Sequence, residues 1–272
     1  MVEAYYPQTL NEALQIINDT TVIPYAGGTD LMIMNNHVNP FIFIGKLPEL
    51  TKIYEDDQYI HIGACVTYTQ AYHSELVPRL MHTVISKIAS PAIRNKGTFG
   101  GNLGNRGGKA DSVLADFVLD AIIKIQSVNG ERLVPVISFY LGRRKIDLAE
   151  NELITEILIP KTSIFENCYF EKISARNSLA ISNISFGASW NTENGIITCI
   201  SIAIGAAGDT VLRCPDLEEL LVGKSRSNIE KERQDILDKY QSRMDFPLDR
   251  TSIDYRKTVC ELLIDYLIDF AD

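Results

Sequence analysis

The sequence has few cysteines and no long apolar run, and these shortages exclude several classes of protein. Its five cysteines are scattered without a C-x-x-C pair, which is unlike a zinc or iron–sulfur site. The four histidines also lack the paired spacing of metal ligands, so we expect no metal site. The most apolar stretch, residues 113–125, is interrupted by charged side chains and is far shorter than the roughly 20 apolar residues that cross a bilayer.

An excess of positive charge is missing as well. Lys and Arg number 26 against 35 Asp and Glu, so the net charge is −9, which argues against a nucleic acid or an anionic membrane as the main partner. The first seven residues have neither a basic n-region nor an apolar h-region, so we expect no signal peptide and a cytoplasmic protein. A composition that is 46% hydrophobic and 22% charged is typical of a globular protein with a sizeable core.

The common nucleotide-binding motifs are also absent. No G-x-G-x-x-G occurs, and near residues 223–225 a P-loop would need a glycine where Glu218 stands. The chain has instead two glycine-rich runs, Ala26–Leu31 and Gly97–Asp111, and the second holds six of the seventeen glycines. Neither a Rossmann site nor a Walker site is therefore predicted, and the two runs need another explanation.

Glycine allows backbone amides to turn toward a ligand in conformations that other residues avoid. Both runs are bracketed by apolar sequence, so we interpret them as ligand loops inside the fold rather than as linkers. Asp111 and Ser112 are predicted to cap a helix over residues 113–120. Loop amides and a helix N-terminus would then converge on an anion, most simply a pyrophosphate.

Short strands and turns are predicted around these runs. Residues 10–17 show helical spacing, whereas residues 21–25, 41–44 and 59–64 are strand-like. Asn129-Gly130 predicts a hairpin, and a turn over residues 191–195 predicts a small antiparallel C-terminal sheet. The last helix carries an apolar stripe that we expect in the core: Val259, Leu262, Leu263, Tyr266, Leu267 and Phe270.

Five ordered motifs together carry a more specific signal. They are Ala26–Leu31, Ile62–Thr67, Ile93–Asn102 with Asp111 after it, Glu156–Pro160, and Tyr169–Lys172. With these motifs, nearly the whole chain resembles the FAD-binding, medium subunit of the molybdenum hydroxylases, the family of xanthine dehydrogenase and carbon monoxide dehydrogenase. The resemblance agrees with the missing Rossmann motif.

The resemblance implies an α+β fold. Its first part is the FAD-binding fold of the vanillyl-alcohol oxidase/PCMH type, with two α/β subdomains expected at residues 1–55 and 56–163. A small C-terminal α+β domain with an antiparallel sheet is expected at residues 164–272.

The resemblance also implies FAD as the cofactor and assigns the residues that bind it. They are Pro24, Tyr25, Ala26, Gly27, Gly28, Thr29, Asp30, Leu31, Ile88, Thr98, Phe99, Gly100, Gly101, Asn102, Asp111, Ile154 and Lys172. In the family, backbone amides of the two runs hold the pyrophosphate and the ribityl chain, and the residue at position 111 hydrogen-bonds the cofactor. Ile154 and Lys172 fall where the family lines the isoalloxazine ring.

Lys172 is the expected catalytic residue. Reduced flavin carries negative charge over N1 and the C2 carbonyl, and a nearby ammonium stabilises that charge. The alternative is a solvated surface lysine that pairs with Glu171 or another neighbour.

The implied function is electron transfer from the [2Fe–2S] clusters of a small partner subunit, through FAD, to NAD+ or another acceptor. Hydroxylation would occur on a molybdopterin-binding large subunit, so the chain names neither the substrate nor the final acceptor, and its oligomeric state stays open. The alternatives are a stand-alone flavin reductase of the same fold superfamily and a cofactor-free structural or assembly subunit. The segment Arg106–Lys109 departs from the family pattern, and it contacts the FAD phosphates, a partner subunit or only solvent.

Overall fold

The computed structural model describes residues 4–33, 38–107, 110–174, 183–245 and 253–270, which form two compact units. The first unit comprises residues 1–107 and 120–161, and the second comprises residues 108–119 and 162–272. A short segment of the second unit is thus inserted into the sequence of the first. Helices and strands are mixed in both units, which confirms the predicted α+β class.

Helices and strands are numbered here in chain order over the described residues. The α-helices are α1 Leu10–Asp19, α2 Tyr68–Tyr72, α3 Arg79–Ser86, α4 Pro91–Arg94, α5 Phe99–Gly104, α6 Asp111–Val118, α7 Val136–Phe139, α8 Pro215–Glu218, α9 Arg226–Arg243 and α10 Ile253–Phe270. The strands are β1 Ala4–Tyr5, β2 Ile23–Tyr25, β3 Phe41–Phe43, β4 Ile53–Glu55, β5 Tyr59–Gly63, β6 Ile122–Ser127, β7 Gly130–Pro135, β8 Tyr140–Gly142, β9 Lys145–Ile146, β10 Leu153–Pro160, β11 Asn167–Ile173, β12 Ile184–Glu193, β13 Ile196–Gly205 and β14 Leu212–Arg213.

The first unit contains two main sheets. One is a parallel sheet in the order β1-β3-β2, and the other is an antiparallel sheet in the order β4-β5-β10-β6-β7. The helical spacing of α1 places Ala13, Leu14 and Ile17 in one core cluster with Ile42 of β3. Strand β10 is central in its sheet and is buried along most of its length.

Both predicted hairpins are present. Strands β12 and β13 are joined through Asn194 and Gly195, whose φ angles of 52° and 73° are those of a type I′ turn. The pairing of β6 with β7 ends at Ser127 and Gly130, so residues 128 and 129 form the two-residue turn. This turn lies one position earlier than the predicted Asn129-Gly130.

The second unit is built on the antiparallel sheet β11-β12-β13-β14, which confirms the predicted C-terminal sheet. One face of this sheet forms an apolar core with side chains of α9 and α10, among them Phe186, Trp190, Ile236 and Ile264. The other face carries only small residues in three consecutive cross-strand pairs: Ser185 with Gly205, Gly187 with Ala203, and Ser189 with Ser201.

These small residues form a shallow trough that accommodates α6. A Cβ added at Gly187 would lie 2.7 Å from Leu114 of α6, so the helix lies closer to the sheet than a larger residue would allow. The C-terminal carbonyls of α6 are also satisfied, since Val118 accepts from the Ser201 hydroxyl and Phe117 accepts from Arg213, both at 2.6 Å. The trough and these bonds fix α6 on the sheet.

Three predicted features of the helices are wrong. The second glycine run is helical over α5 instead of a loop, and Asp111 is the first residue of α6 rather than its cap, since Ala110 holds the N-cap position. In α10 the buried residues include Arg256 and Cys260, whereas Leu262, placed in the predicted stripe, is 61% exposed.

Asp116 of α6 carries a buried carboxyl group. The residue is 1% exposed, and its Oδ1 has no hydrogen-bond partner. Burial therefore raises the pKa of Asp116 well above its ordinary value of 3.8. At pH values above about 4, the folded protein therefore retains this proton more strongly than the unfolded chain does.

We expect Asp116→Asn to remove a pH-dependent loss of stability. Because the pKa is raised in the folded state, the native protein loses stability as the pH rises above about 4, and the asparagine variant does not share this loss. Urea unfolding measures the free energy of unfolding of both proteins. We expect the difference between them to favour the variant more at about pH 8 than at about pH 5. Glu166→Gln, at an exposed position, is the control, and an equal difference at both pH values would contradict the prediction.

Candidate cofactor site

The first glycine run leaves β2 along a path that only glycine permits. A Cβ at Gly27 would overlap the carbonyl oxygen of Lys96, so the backbones of the two glycine runs touch at this point. Gly28 has a φ of +71°, and a Cβ there would overlap the Tyr25 ring. Gly27 is therefore required by close approach, and Gly28 is required by close approach as well as by backbone conformation.

Four consecutive amides in this run have no acceptor among the described residues of the protein. Within the described part of the chain, no protein acceptor takes the amide hydrogens of Gly27, Gly28, Thr29 or Asp30. The carbonyls of Gly28 and Asp30, in contrast, accept bonds at 3.1 and 3.0 Å from the short 3-10 helix that follows. Successive unpaired amides form a concave site that suits a phosphate.

The second run differs from the expected amide loop because its donors are already used. Within α5, the hydroxyl of Thr98 accepts from Gly101 at 3.2 Å, and the Thr98 carbonyl accepts from Asn102 at 3.0 Å. The amides of Phe99 and Gly100 bond outside the helix, to carbonyls that follow β5. Binding of a cofactor by residues 98–102 therefore depends on their exposed surface rather than on these four amides.

The motif Ile62–Thr67 provides the support for this helix. Its carbonyls at Ala64 and Val66 accept from Gly100 at 2.8 Å and from Phe99 at 3.3 Å. The Ala64 amide in turn donates to Thr155 of β10 at 2.9 Å. This motif is one of the five that carry the family resemblance, but no role is predicted for it from the sequence. In the structure it connects α5 to β10.

Three further predicted residues lie in the first unit. Ile154 is buried on β10 beside a register irregularity, and Thr155 lies at this bulge. Ile88 is half-buried after α3, and its carbonyl accepts from Arg94 at 2.7 Å. Pro24 is exposed on β2.

Arg106 follows α5 with a φ of +61°, a conformation that closes helices and favours glycine. Its amide donates to the Leu103 carbonyl at 3.0 Å, and the residue is exposed. Lys109, the other cation of this segment, lies outside the described residues.

In the second unit, Lys172 and Asp111 form a close ion pair. Lys172 Nζ lies 2.5 Å from Asp111 Oδ2, and their side chains are 10% and 7% exposed. Lys172 is thus not a solvated surface lysine. The Glu171 carboxylate accepts from the Lys172 backbone amide at 3.1 Å and from the Tyr169 hydroxyl at 3.5 Å. Burial and the nearby Glu171 charge raise the pKa of Tyr169 to about 12, so this hydroxyl stays a donor.

The ion pair is the part of the site that sequence reasoning missed. Both residues were expected to face the cofactor, but their contact joins positions 61 residues apart, and no local pattern signals it. In the described ranges, no three or more His, Cys, Asp or Glu side chains form a metal-binding group. No described helix is long and apolar enough to span a bilayer.

Comparison with known proteins places these features in a family. The sequence family described as the FAD binding domain in molybdopterin dehydrogenase matches residues 1–162. The family described as the CO dehydrogenase flavoprotein C-terminal domain matches residues 169–268.

Individual proteins agree with these two matches. The nicotinate dehydrogenase FAD-subunit of Eubacterium barkeri is 35% identical over 235 residues, covering 81% of this chain and 79% of that protein. The xanthine dehydrogenase FAD-binding subunit of Escherichia coli O157:H7 is 31% identical over 222 residues, covering 78% and 76%. A carbon monoxide dehydrogenase structure from Hydrogenophaga pseudoflava, lacking the Mo-pyranopterin moiety of its molybdenum cofactor, has a TM-score of 0.88 at 24% identity over 97% of this chain and 94% of that one. This last likeness supports the fold.

We expect Gly27→Ala to destabilise the first unit, because the added methyl group displaces the Lys96 backbone. Overpacking of this kind costs about 1–3 kcal/mol. Gly104→Ala is the matched control, since the end of α5 has open space around Gly104 and alanine favours a helix by up to about 1 kcal/mol. Urea unfolding measures both variants, and equal stabilities would refute the close approach.

Proposed function

We propose a role in electron transfer for this chain, which belongs to the family of FAD-binding subunits of molybdenum hydroxylase-type dehydrogenases. It is an oxidoreductase subunit, and its cofactor is FAD. We propose that electrons pass from [2Fe–2S] clusters of a partner subunit through this FAD to NAD+ or another acceptor.

The observation that carries the cofactor assignment is the set of unpaired amides at Gly27–Asp30. A pyrophosphate needs several converging donors, and a glycine run without side chains lets it approach the backbone closely. The residues present therefore fit the phosphate part of FAD. We propose that the first run binds the pyrophosphate and that the surface of α5 contributes shape rather than amide donors.

Lys172 and Asp111 are proposed to act at the isoalloxazine end of the cofactor. FAD supplies the redox chemistry, because it can exchange electrons singly and as a pair. Lys172 contributes a cation that is largely shielded from water, where a charge interaction is stronger than in solvent. We propose that its ammonium favours the negative charge that reduction adds. Ile154, buried on β10, would line the ring.

The proposed partners follow from the relatives. They are named as subunits, among them the carbon monoxide dehydrogenase medium chain of Hydrogenophaga pseudoflava, which is 27% identical over 237 residues. We propose a small subunit with [2Fe–2S] clusters and a large subunit with molybdopterin, where a substrate would be hydroxylated, in a cytoplasmic complex. Arg106 is proposed to meet either an FAD phosphate or an acidic partner surface.

We expect the purified chain to bind FAD in one-to-one ratio and to bind riboflavin much more weakly, because riboflavin lacks the pyrophosphate that the first run holds. Quenching of flavin fluorescence during titration of the cofactor-free protein measures both affinities. Gly104→Ala should leave both unchanged, whereas Gly27→Ala should weaken FAD binding selectively.

The same titration separates the rival functions. A protein that stays colourless after addition of FAD would contradict the proposal and support a structural subunit. Turnover of NAD(P)H with a small substrate by the isolated chain would support a stand-alone reductase. Equal affinities for FAD and riboflavin would remove the first run from pyrophosphate binding.

A further inference from the structure

Asp111 forms an ion pair with Lys172 in this structure. Its Oδ2 lies 2.5 Å from the ammonium, and both side chains are nearly excluded from water. A pair of this kind is a strong local constraint, because removal of one partner leaves an uncompensated buried charge.

The backbone around this pair is held from two sides. Asp111 is the first residue of α6, so its carboxylate also lies at the positive end of the helix. The opposite end of α6 is fixed by the bonds from Ser201 and Arg213. Lys172 lies near the end of β11, where it pairs with Ser185 of β12. Both backbones are thus held by contacts outside the ion pair, and the carboxylate constrains where the ammonium lies.

We propose that Asp111 is a positioning residue and counter-charge for Lys172, and that it tunes the cofactor through Lys172. This inference rests on the proposed function, in which Lys172 faces reduced FAD. It assigns opposite electrostatic effects to two residues that were both expected to contact the cofactor.

The signs follow from the charges. Reduction of bound FAD by two electrons and one proton adds one negative charge. The Lys172 cation favours that charge, and the Asp111 anion opposes it and reduces the effect of the lysine. Removal of Asp111 takes one counter-charge away from the cation, and removal of Lys172 takes one counter-charge away from the anion. Removal of both charges restores the net charge of the native pair.

The test is the midpoint potential of FAD bound to the full chain, measured by titration with dithionite in the presence of reference dyes. We expect Asp111→Asn to raise the potential and Lys172→Met to lower it, each by a factor of about ten in the preference for reduced over oxidised FAD, or about 30 mV for two electrons. The double variant should return close to the native value. Asp111→Glu keeps the charge and should restore most of the native behaviour.

Two controls separate this effect from a general change of charge. Glu166→Gln and Lys231→Met remove one exposed anion and one exposed cation from the same unit and should leave the potential unchanged. A potential that falls or stays constant in Asp111→Asn would overturn the inference, because a purely structural role predicts no rise.

A second measurement does not require bound cofactor. Urea unfolding of the cofactor-free native chain, both single variants and the double variant gives the coupling between the two residues. We expect each single variant to lose more stability than the double variant, and additive losses would overturn the pairing. If the native chain binds no FAD, the proposed function and this inference both fail. If it binds FAD but Asp111→Asn and Lys172→Met shift the midpoint potential in the same direction, only the inference fails.

Discussion

The backbone contact at Gly27 is the constraint on which the first unit depends. Because the Lys96 carbonyl occupies the space of a side chain there, the first run must pass close to the second without pairing with it. Residues 99–102 of the second run do not offer their amides, since α5 and the carbonyls of Ala64 and Val66 use them. The amides of Gly27–Asp30 have no protein acceptor among the described residues, so they are available to a ligand. The glycines are needed for packing as much as for ligand contact.

A comparable constraint governs the second unit. The small side chains of β12 and β13 let α6 lie against the sheet, and this placement brings the first residue of α6 to Lys172 on β11. The same close packing buries Asp116, whose carboxyl group has no bonded partner at Oδ1. The helix thus carries two acidic residues in opposite situations. One is paired and held at the helix N-terminus, whereas the other is tolerated at a cost in stability.

The sequence was sufficient where local rules act. It predicted the β12–β13 turn because Asn194 and Gly195 accept positive φ, and the five motifs placed the chain in its family. It was insufficient where tertiary contacts decide. Glycine disfavours helices, so α5 was unexpected, and it forms because Thr98 caps it and β5 supports it. The contact of Lys172 with Asp111 joins distant segments, and no periodicity encodes it.

Under the proposed function, the first glycine run and the Lys172–Asp111 pair supply different kinds of interaction, and this difference separates affinity from redox tuning. Neutral amides bind a pyrophosphate whose charge does not change on reduction, so under the proposed function a change in the first run alters affinity for oxidised and reduced FAD alike. Under the same proposal, Lys172 and Asp111 carry fixed charges that interact with the charge that reduction adds to FAD, so a change there alters the ratio of the two affinities. The paired Asp111 would also limit how strongly Lys172 holds reduced FAD. An electron-transfer subunit needs this limit, because a cofactor that is too stable when reduced would not pass its electrons on.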